Sequence, residues 1–110
     1  MPSLPPRVAT VARRYREALS AAFPGRTRSV RVFGSMARGE AHEDSDVDIL
    51  VILDGASFAE RGRAIDLATE LGLAEGLVFA PIVLTPDEWA ELVNRERALP
   101  REIDRDGIEA

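Results

Sequence analysis

The order of elements legible in the chain, helix–strand–strand–helix–strand–helix, predicts an α+β fold: a small mixed sheet with its helices packed on one face. Three observations carry that prediction. Apolar residues recur at helical spacing from Arg7 to Phe23. Two runs rich in β-branched residues, ending at Phe33 and at Leu53, flank a glycine–serine turn and a polar stretch. A third apolar run, Leu77 to Leu84, lies between two helix-like segments and contains Pro81. Proline lacks a ladder donor and belongs at an edge or a bulge, so this strand is not expected to be fully paired on both sides.

Taken in order, Met1 to Pro6 is a short lead-in, and Pro5-Pro6 can sit at a helix start. The first helix presents Val8, Val11, Ala12, Tyr15, Ala18, Leu19, Ala22 and Phe23 on one side, and Pro24-Gly25 ends it. Ser29 to Phe33 forms the first strand, with Arg31 able to face water. Gly34 breaks that strand, and Ser35 is placed to cap a short helical turn, Met36-Ala37-Arg38. Asp46 and Asp48 open the second strand, which runs apolar from Ile49 to Leu53 and closes at Asp54-Gly55. Ser57 and Glu60 have capping-box spacing for a helix through Leu73. Its core stripe is expected from Phe58, Ile65, Ala68 and Leu71, with Leu67 at the edge. After the third strand, Thr85-Pro86-Asp87-Glu88 starts a helix whose apolar side is Trp89, Leu92 and Val93. Pro100 to Asp106 suggests one further turn, stopped by Gly107. Residues 98–110 hold few apolar side chains, so their order is expected to depend on a contact with the domain or with a partner.

At 110 residues and 45% hydrophobic, the chain is expected to be one domain, residues 1–110, with one hydrophobic core. It has no cysteine, which excludes disulfides, thiolate zinc sites and a cysteine nucleophile. No apolar run reaches membrane-spanning length and no signal-peptide pattern is visible, so no membrane partner and a cytoplasmic location are the expectations. All fourteen basic residues are arginine. Residues 1–39 hold eight arginines against Glu17 alone, a balance of +7, whereas residues 40–110 balance at −12. Such asymmetry fits either an arginine-lined anion site or a basic solvated helix on an acidic domain. The overall charge of −5 argues against direct nucleic-acid binding through the backbone.

The chemistry concentrates between Val32 and Leu53. Gly34-Ser35 is followed after ten residues by Asp46-Val47-Asp48. A glycine at a helix start lets backbone N–H groups approach an anion with no side chain in the way. Side chains two apart on a strand share a face, so the two carboxylates would stand together near that turn. Unpaired charges on an otherwise buried-looking strand are costly, and a cation would offset the cost. The set suits hard divalent ions that also hold a phosphate chain, magnesium rather than zinc, since the donors are carboxylates. The plain alternative is a β-turn with acidic residues solvating a loop.

The string Gly-Ser-Met-Ala-Arg-Gly…Ser-Asp-Val-Asp-Ile-Leu-Val resembles the signature of the minimal nucleotidyltransferases, small members of the DNA polymerase β superfamily. The likeness extends less specifically over most of the chain. It implies a palm-like sheet bearing catalytic Asp46 and Asp48, which would bind two magnesium ions. Gly34 and Ser35 would hold the β- and γ-phosphates of ATP or another nucleoside triphosphate. Arg38 would add charge to the triphosphate, or else pair at the surface with Glu40, Glu43 or Asp44. His42 reads as solvated, and Ser45 as shaping the turn before Asp46.

One departure stands out. Catalytic relatives usually carry a third carboxylate on the strand matching Leu77–Leu84, and this strand has no Asp or Glu. Phe79 or Ala80 is expected at the vacant position. The resemblance implies transfer of a nucleoside monophosphate, AMP from ATP, to a hydroxyl on a second protein. The partner it suggests is a helical HEPN-type toxin, with this chain as antitoxin in a hetero-oligomer. The alternative is a catalytically degenerate binding module that masks such a partner by contact alone. An aminoglycoside-modifying enzyme would need substrate-binding structure not visible in the sequence.

Overall fold

The computed structural model describes residues 4–40, 46–95 and 98–110. Two strands at its centre, β1 (Thr27–Phe33) and β2 (Val47–Leu53), run antiparallel. They are joined through a single helical turn, α2 (Ser35–Arg38). A crossover through α3 (Phe58–Ala74) lays β3 (Phe79–Leu84) parallel to β2. The chain then forms α4 (Pro86–Arg95) and α5 (Ala98–Asp106) and returns as β4 (Ile108–Glu109), antiparallel to β1. The sheet order is β3-β2-β1-β4, so β3, with Pro81, lies at an edge as its proline requires.

Alternation along the strands sorts side chains to two faces. Val30, Val32, Val47, Ile49, Val51 and Leu53 face the main core with helix α1 (Pro6–Ala22) and α3. Helix α1 contributes Val8, Val11, Ala12, Tyr15 and Leu19, the stripe read from its sequence. The helices are not confined to one face as expected: Phe33, Leu50 and Ile52 are apolar on the opposite face too, and they form a smaller cluster with Ile103, Trp89 and Leu99. Helices α4 and α5 cover that face. Residues 98–110 are therefore held by the domain itself: Pro100 and Ile103 are buried, and Ala110 N donates to Val30 O at 2.9 Å.

Helix α3 keeps part of its expected stripe, Ala68 with Leu67 and Leu71 against the core, and departs from it at Phe58 and Ile65. Its buried residues are Ala64, Ala68 and Gly72, while Leu67 and Leu71 are only partly buried, Ile65 is 42% exposed and Phe58 94%. The small residues let α3 approach its neighbours closely. Tyr15 Oη donates to the Ala64 carbonyl at 2.8 Å, and a Cβ on Gly72 would come within 2.7 Å of Leu77 O. A large residue on that side would hold the helix off the sheet, so the bulky ones turn outward.

The starts of α3 and α4 carry reciprocal caps. Glu60 N donates to Ser57 Oγ at 3.2 Å and Ser57 N to Glu60 Oε1 at 3.0 Å. Thr85 and Glu88 repeat the exchange at 3.2 and 2.8 Å. Each glutamate also accepts from an arginine earlier in the chain. Arg26 grips Glu60 in a fork at 2.7 and 2.8 Å, and Arg61 reaches Glu88 at 2.9 Å. The Arg26 fork pulls the Glu60 carboxyl down to about 2.

Candidate active site

The antiparallel register of β1 and β2 builds the site. Phe33 is the partner of Asp48, so Gly34, the next residue, turns out of the sheet directly beside that carboxylate. Gly34 adopts φ 74°, ψ −152°, a conformation essentially confined to glycine. The close approach gives a second reason for glycine: an added Cβ would lie 2.5 Å from Asp48 Oδ2. The two halves of the sequence motif are thus in van der Waals contact.

Gly34 rather than Ser35 occupies the cap position of α2, and no side chain caps that turn. Ser35 is its first helical residue, half-buried, because the strand ends one residue before the helical dihedrals begin. The turn closes through Arg38 N to Gly34 O at 3.1 Å and Glu40 N to Ser35 O at 3.0 Å. The first N–H groups of a helix have no partner within it, and those of Ser35 and Met36 are in that position.

Asp46 lies exposed immediately before β2, and Asp48 is half-buried at its second position. Burial raises the Asp48 pKa above its ordinary value, and the charges of Asp46 and Glu102 raise it further, against a lowering by Arg38. Asp48 therefore carries a negative charge in a place that disfavours one. Among the described residues no group of three or more His, Cys, Asp or Glu side chains could hold a metal ion. The carboxylate pair still fits magnesium, which takes one or two protein carboxylates and completes its shell with phosphate and water. A bound cation would relieve the repulsion that acts on Asp48.

Arg38 is held by carboxylates. Its Nε donates to Glu40 at 3.1 Å and its Nη1 to Glu102 at 2.9 Å, with Asp106 at 3.8 Å. Glu40 is one of the surface partners the sequence offered for it. Glu43 and Asp44, the other two, lie outside the described residues, as do His42 and Ser45. Glu102 and Asp106 were not singled out from the sequence. Their i, i+4 spacing on α5 puts both on one helix face, and that spacing was the available signal.

Ala80 is the β3 partner of Asp48, whereas Phe79 pairs with Val47 and is buried in the main core. Of the two candidates for the vacant third-carboxylate position, Ala80 is the one beside Asp48. A cavity of about 430 Å³ opens next to Arg38, lined by Glu40, Arg105, Asp106 and Ile108 among others, but Asp46 and Asp48 do not line it.

Comparison with known proteins agrees with this geometry. Residues 12–102 match the model of the nucleotidyltransferase domain family. MJ0604 of Methanocaldococcus jannaschii, a protein named for protein adenylyltransferase activity, is 39% identical over 79 residues, 72% of this chain and 71% of its own. MJ0141 of the same organism, named for the same activity, is 27% identical over 74 residues, 66% of this chain and 75% of its own. A solved minimal nucleotidyltransferase superposes with a TM-score of 0.62 at 28% identity, covering 92% of this chain and 93% of that one. A chain of a toxin–antitoxin complex solved with AMP-PNP shares the fold, with a TM-score of 0.58 at 21% identity over 87% of this chain and 69% of that one. Motif, sheet and extent of match lead to one assignment: the chain belongs to the nucleotidyltransferase domain family, as a minimal nucleotidyltransferase.

Proposed function

We propose that the protein transfers AMP from ATP to a hydroxyl on a partner protein, with Asp46 and Asp48 as catalytic residues and magnesium ligands. The observation that carries this reading is the contact between Gly34 and Asp48, which sets the phosphate-side turn against the carboxylate that would hold the metal. Asp46 and Asp48 would hold the magnesium, which would supply Lewis-acid charge against the negative charge developing at the α-phosphorus. The N–H groups at the start of α2 and the Ser35 hydroxyl hold the β- and γ-phosphates. Arg38, fixed by Glu40 and Glu102 beside the site, contributes positive charge toward the triphosphate while those carboxylates partly neutralise it.

The acceptor belongs to a second protein in this reading. The carboxylate pair is open, and the cavity beside Arg38 does not include it. MJ0604 is named for transfer to protein, and the toxin–antitoxin neighbour supports a toxin as partner; we take that partner to be a helical HEPN-type protein in a hetero-oligomer. The protein acts in the cytoplasm in this account, and residues 1–110 work as one domain.

One observation favours the alternative, a degenerate module that neutralises its partner by binding alone: Ala80 stands beside Asp48 where catalytic relatives are expected to carry a third carboxylate. Incubating protein, candidate toxin, ATP and magnesium, and then measuring intact masses, separates the two readings. An AMP adduct on the toxin that vanishes with Asp46→Asn supports transfer. Neutralisation without an adduct, unchanged in Asp46→Asn, leaves the binding module.

A further inference from the structure

Helix α3 carries an apolar stripe that nothing among the described residues covers. Phe58 is 94% exposed, Leu73 66% and Ile65 42%, and the exposed Gly62 and Thr69 fall between them. These positions, 58, 62, 65, 69 and 73, are spaced by three or four residues and form one face of the helix. The Thr69 hydroxyl is turned back onto its own helix, donating to Ile65 O at 3.2 Å, which leaves its methyl to the outside. Among the described residues nothing packs against Gly62. It has no unusual φ, and an added Cβ would meet nothing within 4 Å. A mid-helix glycine weakens a helix relative to any other residue but proline, so its presence in open space calls for a close approach from outside.

The charges beside the stripe identify the visitor. Arg63, Asp66 and Glu70 line one flank, and none of them makes an ion pair among the described residues; Arg63 only rests over the Phe23 ring, 5.8 Å from its centre. The basic residue is N-terminal and the acidic ones C-terminal. Two copies of α3 packed antiparallel about a twofold axis between residues 65 and 66 bring equal flanks together. Phe58 then meets Leu73 of the second copy, Gly62 meets its Thr69, and Ile65 lies beside its own counterpart at the axis. Arg63 falls level with position 68 of the second copy, between Asp66 and Glu70. The pattern is complementary to itself in shape and charge, and only in the antiparallel sense.

We infer that the outer face of α3 is a homodimer interface, formed by antiparallel pairing with a second copy of this chain. It is separate from Asp46, Asp48 and Gly34, so it stands whether or not the proposed transfer occurs. A helix of 17 residues spans only about 25 Å, which makes the interface small and the dimer a transient one.

Sedimentation equilibrium of the full chain tests the inference. The wild type is expected to be dimeric at about 200 µM and to dissociate on dilution. Gly62→Gln should raise the thermal midpoint, since it adds helix propensity in open space, while weakening dimerisation about tenfold or more. That pairing of outcomes excludes misfolding as the cause. Arg63→Glu should dissociate the dimer, and adding Asp66→Arg and Glu70→Arg should restore it. The chain lacks cysteine, so Phe58→Cys mixed with Leu73→Cys should give a disulfide-linked pair under oxidation, and Leu73→Cys alone should not. A wild type that stays monomeric at 200 µM overturns the inference, including the case in which a different protein covers the stripe. Undiminished dimerisation of Gly62→Gln, or efficient self-linking of Leu73→Cys, overturns it equally.

Discussion

Gly34→Ala tests the link between the two halves of the motif. An ideal Cβ at this position lies 2.5 Å from Asp48 Oδ2, 3.4 Å from its Cγ and 3.5 Å from its Cβ. Two costs follow. The backbone at φ 74°, ψ −152° is one that residues other than glycine occupy only at about 1–3 kcal/mol. The carboxylate must also rotate away from the methyl, and a displaced rotamer costs about 0.5–1.5 kcal/mol. The single substitution should therefore destabilise by roughly 1.5–4.5 kcal/mol. Asp48→Ala removes the oxygen and leaves only the ordinary 3.5 Å contact with Cβ, so Gly34→Ala in that background retains the first cost and loses the second. Urea unfolding of the four proteins then yields a coupling of about 0.5–1.5 kcal/mol. A coupling of zero would refute the reasoning, because glycine would then be needed for its backbone alone. Gly34→Ala should also weaken ATP–magnesium binding in titration calorimetry, although it removes no ligand atom.

Two further outcomes follow from the same site. The Asp48 pKa is raised from 3.8, so its protonated form favours folding, fully below the unfolded pKa, and that stability is lost as pH rises through the folded value. Without magnesium, Asp48→Asn should thus be at least as stable as the wild type at pH 7, with the advantage shrinking below pH 4 or so; a lower thermal midpoint for Asp48→Asn at pH 7 contradicts the assigned burial and repulsion. Ala80→Asp puts a carboxylate beside Asp48 and should raise AMP transfer by up to about 10²–10⁴-fold if a missing base limits the rate. Phe79→Asp, whose side chain enters the main core, should instead unfold the protein; activation by Phe79→Asp but not by Ala80→Asp would reverse the assigned register.

Much of this was legible because the signals are local. Turn chemistry, caps and strand alternation are short-range, and so the starts of α3 and α4, the edge position of β3 and the pairing of Gly34 with the Asp46–Asp48 segment could be read directly. What could not be read depends on distant neighbours. The stripe of α3 is legible only in part: Ala68 is buried and Leu67 and Leu71 pack against the core, but Phe58 and Ile65 turn outward, because close packing against Tyr15 and Leu77 favours the small Ala64 and Gly72. The spacing of Glu102 and Asp106 marks a helix face, but their pairing with Arg38, 64 residues from Glu102, is beyond the reach of any local pattern. Strand β4 is two residues long and owes its existence to β1, since Ile108 and Glu109 carry little strand signal of their own.

The position of Pro81 bears on how the protein behaves in a crowded solution. A sheet edge exposes unpaired N–H and C=O groups that can recruit another strand. Here one edge is β4, two residues long and bearing Glu109. The other is β3, whose sequence Phe-Ala-Pro-Ile-Val-Leu has no charge and, apart from its proline, the composition of a segment prone to stack into fibrils. Pro81 interrupts the row of donors in the third of those six positions. Replacing it with valine would improve the strand as a strand and leave an uncharged edge open to its like. Pro81 thus protects solubility more than it protects the fold, and a change that stabilised the folded chain at this position would shorten its life as a dispersed one.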